Sequence, residues 1–208
     1  MDNNHINNIA SGVSVGIVKE NQDPESMGRV QIEFPYWENQ GATEWARIAT
    51  PMAGAEKGVY FLPEVGDEVL VAFEGGNIHF PYIIGCLWNG VEKPPEGNDG
   101  KNNRRLIRSR SGHEIVFDDD EGGNEKLAIR SSSGHCITLD DAGGGECIRI
   151  EDKSGNAITL DAAQNAISIE CAGQLSIKAN IIEIDAKATM DINAGATLTL
   201  GGALVQIN

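Results

Sequence analysis

The chain has 208 residues, a formal net charge of −15, 25 glycines and only 5% aromatics. Such acidity repels phosphate backbones and anionic membrane surfaces, which counts against nucleic-acid binding, and no apolar run approaches the ~20 residues of a membrane-spanning helix. The glycine-rich, aromatic-poor balance suits strands and turns, in one or two domains.

Residues 1–10 read as a flexible tail; Met1-Asp-Asn-Asn-His-Ile-Asn-Asn8 has neither the basic nor the apolar region of a signal peptide. Residues 11–90 are β-patterned throughout. Val13, Val15 and Ile17 alternate, a turn-rich loop covers Asn21 to Gly28, and Val30, Ile32 and Phe34 share one face of the next strand, which Pro35 ends. Glu44–Thr50 reads as a third strand, Asp67–Phe73 as a fourth, and Phe80–Trp88 as a fifth after a hairpin turn at Gly75-Gly76-Asn77. Five short strands without a convincing helix suggest a small Greek-key barrel of the OB type, with Trp45 and Phe73 in its core. Residues 91–103, rich in Pro, Gly and Asn, are a linker.

Residues 104–208 repeat themselves, which points to a stacked architecture. Ser111-Gly-His-Glu-Ile-Val-Phe-Asp-Asp119 returns as Ser133-Gly-His-Cys-Ile-Thr-Leu-Asp-Asp141, then as Ser154-Gly-Asn-Ala-Ile-Thr-Leu-Asp-Ala162, at offsets of 22 and 21. Beyond Cys171 the unit shortens to the triplets Leu175-Ser-Ile177, Ile182-Glu-Ile184, Met190-Asp-Ile192, Leu198-Thr-Leu200 and Val205-Gln-Ile207, starting 7, 8, 8 and 7 residues apart. Each triplet alternates apolar and polar, so each buries one face. Elements this short are stable only when stacked. With two inward residues per rung and no aromatic in the last forty, the pattern favours a thin prism of three chains, each supplying one side per rung; a single-chain solenoid is the alternative. Some 13 rungs at ~4.7 Å spacing give a shaft of about 60 Å at most.

The chemistry-bearing groups read as structural. Asp118-Asp-Asp-Glu-Gly-Gly-Asn124 fails the calcium-loop spacing. His113 and His135 occupy equivalent repeat positions, where three copies in a trimer would form a ring; strand-edge histidines explain them as well, and no metal is assigned. Arg104, Arg105, Arg108 and Arg110 lack the interleaved aromatics of a nucleic-acid patch and are read as partners for acidic turns of neighbouring chains. Cys86, Cys136, Cys147 and Cys171 have no C-x-x-C spacing and are read as small hydrophobes. A disulfide stays open only for Cys136 and Cys147, in successive strands. No nucleophile–base constellation or carboxylate pair in a cleft is found, so no catalytic residue, cofactor or enzyme activity is expected.

Asp23-Pro-Glu-Ser-Met-Gly-Arg-Val30 with Phe34-Pro35, Trp45-Ala-Arg47, Pro63-Glu-Val-Gly-Asp-Glu-Val-Leu-Val-Ala-Phe73, Pro81 to Gly85 and Leu87-Trp-Asn-Gly90 together resemble the OB-fold domain of contractile-injection spikes. These are the central spikes of phage baseplates, of type VI secretion (the valine-glycine-repeat spikes) and of extracellular contractile injection systems. The repeats resemble the family's C-terminal β-helix. The resemblance implies an all-β homotrimer, an OB-type barrel followed by an intertwined triple-stranded β-helix needle. It implies docking on a trimeric hub of the tail tube, a cone-shaped tip protein of the proline-alanine-alanine-arginine (PAAR) type at the blunt end, and puncture of a target cell envelope on firing. Synthesis in the bacterial cytoplasm and incorporation into a phage-tail-like particle follow.

Tyr36 and Trp37 are the candidate hub contacts, and Leu204, Val205, Gln206, Ile207 and Asn208 the candidate tip platform. The sequence departs from larger relatives in lacking a hub-like N-terminal domain and a lysozyme-like insertion. The hub is then expected on a separate polypeptide, which tilts the reading away from type VI. The competing function is an OB-fold module binding oligosaccharide or single-stranded nucleic acid, with the repeats as its stalk; it requires a basic, aromatic-studded strand face that this barrel lacks.

Overall fold

The computed structural model describes residues 12–37 and 41–207. It divides into two compact units, Met1–Asn102 and Asn103–Asn208. Apart from one 3-10 turn, all of its regular structure is β.

In the first unit, β1 (Val13–Glu20), β2 (Gln31–Glu33), β3 (Arg47–Ile48), β6 (Glu68–Phe73) and β7 (Pro81–Leu87) form one sheet in the order β2-β1-β6-β7-β3. Neighbours are antiparallel except β3 and β7, which run parallel. The two ends of this order meet through the antiparallel bridge Val30↔Ala46, bonded in both directions at 3.1 and 2.7 Å. The ring β1-β2-β3-β7-β6 is thereby closed, an OB-type connectivity. A small hairpin, β4 (Ala53–Gly54) with β5 (Lys57–Gly58), fills the loop after β3. Gly75 and Gly76, at φ of 58° and 79°, turn β6 into β7 through a left-handed conformation that side chains resist.

The barrel core is Val18, Val30, Ile32, Phe34, Ala46, Val69, Val71 and Ile83. On β2 the inward residue Ile32, flanked by Val30 and Phe34, is the one that the alternation singled out, and on β6 Val69 and Val71 point inward. On β1 the phase is reversed. Gly16 and Val18 face the core, while Val13 is exposed and Val15 and Ile17 are half-buried on the other side. A Cβ at Gly16 would come within 3.3 Å of Ile32 Cδ1 and Val71 Cγ2, so close packing selects the residue that the apolar pattern skips. Trp37 stacks on Phe34 at 4.1 Å between ring centroids and lies 5.7 Å from Phe73, both parts of the barrel interior. Trp45, expected inside, is half-buried, and its neighbour Ala46 takes the core position.

The second unit opens with a seven-stranded antiparallel meander: β8 (Arg104–Arg108), β9 (Glu114–Asp118), β10 (Lys126–Arg130), β11 (Cys136–Asp140), β12 (Cys147–Glu151), β13 (Ala157–Asp161) and β14 (Ala166–Glu170), each paired with the next. Across 104–170 strand pairing is therefore within one chain, where an intertwined needle would have paired strands between chains. The cause is local. Five-residue strands joined by four- to seven-residue turns fold back on themselves before a second chain is needed. The 21–22-residue repeat is one pair of strands with its two turns. Cys136 opposes Glu151 and Cys147 opposes Asp140, so these cysteines sit at opposite ends of the paired strands; all four cysteines are free thiols.

After Glu170 no further strand pairs within the chain among the described residues. The segment instead runs extended, with bends at 172–173, 180, 187–188, 195–196 and 203. The bends fall on Ala-Gly, Asn, Lys-Ala, Gly-Ala and Ala, and every extended side between them carries one apolar triplet.

Candidate functional site

The meander has two chemically opposite faces, because side chains alternate along each strand. One face carries a cross-strand ladder of seven isoleucines: Ile107, Ile115, Ile129, Ile137, Ile150, Ile158 and Ile169 face one another in strict register. Beside it runs a second ladder from Phe117 through Leu127, Leu139, Ile148 and Leu160 to Ile167. Arg105 heads this second ladder opposite Phe117 and pairs with Asp119. The opposite face shows Leu106, Val116 and Ala128, the last two buried, and then Thr138, Arg149, Thr159 and Ser168 along its middle line. It also holds ion pairs such as Arg108–Glu114 at 2.5 Å and Arg149–Glu151 at 3.0 Å.

The apolar face is the exposed one. Apart from half-buried Leu127, accessibility along the two ladders runs from 36% at Ile115 to 73% at Ile167. An open trough lies on it, lined by Ile129, Ile137, Ile150, Ile158, Ile169 and, from the following segment, Leu175. A continuous apolar surface of this extent marks an interaction face. The five triplets after Cys171 repeat the same two-residue width, and their ten apolar residues, with neighbouring Ile181 and Leu204, are all exposed. Among the described residues this segment has no strand partner in the chain, and its backbone groups would require partners once buried.

The two edges of the meander are built differently. One edge carries turns rich in acid: Asp119, Asp120, Glu121 and Glu125, then Asp141 and Glu146. The other repeats a five-residue turn at 109–113, 131–135 and 152–156. In each, the first residue's side chain (Ser109, Ser131, Asp152) accepts the N–H of the fifth at 2.9–3.0 Å. The fourth is a glycine at φ of 84°, 97° or 84°. Asp152 also accepts Asn156 Nδ2 at 2.7 Å, and these bonds hold its carboxyl below the ordinary range. His113 and His135 sit in this column. Among the described residues no group of three or more His, Cys, Asp or Glu could hold a metal ion.

In the barrel, Asp23 clamps its own loop. It accepts Arg29 Nε at 2.8 Å and Nη2 at 2.7 Å, and the N–H groups of Glu25, Met27 and Arg29. The Arg29 guanidinium holds its carboxyl far below the usual carboxylate range, with the backbone N–H groups adding to the effect. A lowered native titration means the clamp contributes fully above pH ~4 and is lost as pH falls below it. Asp23→Ala is accordingly expected to lower the Tm by several degrees at pH 7 and to make barrel stability less acid-dependent, as thermal melts at pH 7 and pH 3 would show.

Of the candidate hub contacts, Tyr36 is 86% exposed, whereas Trp37 belongs to the aromatic stack on the core. Leu204, Val205 and Ile207 are exposed, as is Gln206; Asn208 lies outside the described residues. Other exposed aromatics, Tyr60 and Phe61, lie on the loop after β5. Of the barrel's cations, Lys19 pairs with Glu33, Arg29 with Asp23, and Arg47 with Tyr82. The basic strand face required by the ligand-binding alternative is not formed by these groups. The apolar alternation of these strands was legible in the sequence, whereas the intrachain register that aligns the seven isoleucines and the role of Trp37 were not.

Residues 14–88 match the family model described as the type VI secretion system/phage-baseplate injector OB domain. The chain is similar to the type VI secretion system spike protein VgrG2a of Pseudomonas aeruginosa, 33% identical over 86 residues, which cover 39% of this chain and 10% of that protein. It is also similar to spike protein VgrG3 of Vibrio cholerae, 28% identical over 108 residues (47% of this chain, 10% of that protein). The actin cross-linking toxin VgrG1 of Vibrio cholerae is 29% identical over 105 residues, 46% of this chain and 10% of that protein. The chain thus spans about a tenth of the length of these relatives. All are VgrG proteins, which gives no support to the tilt away from type VI. Over residues 14–88 the first unit is similar to the injector OB domain of type VI secretion systems and phage baseplates, and the chain resembles the spike proteins of these machines.

Proposed function

We propose that this protein is the central spike of a contractile injection machine, a homotrimer whose second unit forms a membrane-piercing shaft. The observation that carries this reading is the exposed double ladder of Ile107 to Ile169 and Phe117 to Ile167, continued by five bent, unpaired extended sides. Three such sheets, apolar faces turned to a common axis, bury all of the ladders in one thin core. Each following side, seven or eight residues from bend to bend, then lies on a successive face of the prism, and strands from three chains pair in turn. Seven stacked strands and five further layers at ~4.7 Å give a shaft of about 55 Å. Mechanical work supplied by the machine is concentrated on its tip; catalysis has no part in it.

The barrels dock on a trimeric hub of the tail tube through surfaces that include Tyr36, with Trp37 stiffening the segment beneath it. The end of the shaft, Leu204 to Asn208, carries a cone-shaped PAAR-type tip protein. Assembly takes place in the bacterial cytoplasm, and the target is a cell envelope. The linker 91–103 separates domain 11–90 from spike 104–208.

Interwound chains separate only by unfolding, so the trimer is expected to persist kinetically. The full chain should migrate as a trimer in SDS without boiling, and a chain ending at Trp88 as a monomer; identical monomeric migration of both would overturn the shaft. For the tip platform, Val205→Asp with Ile207→Asp is expected to reduce capture of a PAAR-type protein at least tenfold while the oligomer persists. Undiminished capture would remove the platform from the proposal.

A further inference from the structure

We propose that the column of five-residue turns along one edge of the meander is a pH-sensitive clamp, intact while His113 and His135 are neutral. Each turn ends in a residue whose side chain reaches the next turn. Ser132 N–H donates to His113 Nδ1 at 3.2 Å, and Lys153 N–H donates to His135 Nδ1 at 3.4 Å. In the third turn Ala172 N–H donates to Asn156 Oδ1 at 3.1 Å, at the bend where the meander gives way to the wound segment. The Ser-Gly-His, Ser-Gly-His, Ser-Gly-Asn series is thus one device used three times, twice with a titrating acceptor and once with a fixed one.

A ring nitrogen that accepts a backbone N–H has no room for a proton of its own. Histidine ordinarily changes charge between pH 5 and 8. A proton placed on either Nδ1 would break its link and leave the next turn's N–H without that acceptor.

Arg110 lies in the turn of His113, with Arg108, Glu114 and Arg130 on the flanking strand ends. Arg130 and Glu151 flank His135, and Asp152 and Lys153 face it from the next turn. Both Asp152 oxygens are already engaged by Ser154 N–H, Asn156 N–H and Asn156 Nδ2, so a protonated ring gains no ready replacement bond there. The clamp lies within one chain and stands independently of the trimer.

Hydrogen exchange of the full chain at pH 7.5 and pH 5.0, read at single residues as protection relative to the intrinsic rate, tests it. Protection at the Ser132 and Lys153 amides is expected to fall roughly tenfold at the lower pH. Protection at Ala172 should stay unchanged. H113N/H135N, which copies the third turn, is expected to hold all three amides at both pH values. The proposal is overturned if Ser132 and Lys153 keep their protection at pH 5.0, if Ala172 loses it equally, or if the double variant responds as the natural chain does.

Discussion

Ile137→Asp is expected to abolish oligomer assembly through the second unit. Ile137 sits in the middle strand of the meander, opposite Ile129 and Ile150 in the isoleucine ladder. In a closed prism three carboxylates would meet on the axis without a partner, each costing several kcal/mol or else forcing protonation. The intrachain hydrogen bonds of β11 do not depend on that side chain, so the meander itself should persist, detectable by its β-type circular dichroism. Ser168→Asp, on the polar face of exposed β14, is the matched control and should leave the mass in solution unchanged. An Ile137→Asp chain with the mass of the natural protein would show that the ladder faces solvent in the working state.

Ile32→Ala is expected to be the most damaging conservative change in the barrel. Ile32 is fully buried among Val18, Val30, Val69 and Val71, and its Cδ1 fills the space that Gly16 leaves open. Truncation of such a side chain costs about 2–5 kcal/mol, the spread reflecting how far the cavity can collapse. For a unit of about 90 residues that corresponds to a Tm lowered by roughly 10–20 °C. Val59→Ala, at a position 38% exposed, should move the transition by no more than a few degrees. Differential scanning calorimetry of the full chain separates the barrel transition from that of the second unit and measures both effects.

Much of this architecture was legible because it is periodic. The alternation Val30, Ile32, Phe34 named one barrel strand and its inward face, the apolar run Asp67 to Phe73 named another strand, and the Ser-Gly-His repeats named the units of the meander. Period two identifies a buried face; it does not identify the strand's partner, since the same triplet pairs equally well with its own chain or with another. That is why the intrachain pairing of β8 to β14 emerged only from the fold. Gly16 hid the phase of β1, because a glycine selected for close approach leaves no apolar mark in the pattern. Trp37 looked available for a partner because it follows Pro35, outside the strand; the chain turns back there and stacks its indole on Phe34. The histidines gave a positional signal through their equivalent places in the repeat. Their chemistry, a ring nitrogen accepting the next turn's N–H, depends on the height of one turn above another and has no counterpart in composition.

The central claim is that the exposed isoleucine face is closed by two further copies of this chain. Light scattering coupled to size exclusion on the full-length protein measures it most directly. The account expects a single species near three times 22.2 kDa, about 67 kDa, unchanged on dilution. A species of 22.2 kDa at every concentration would contradict it and would make the second unit a single-chain sheet with its apolar face open.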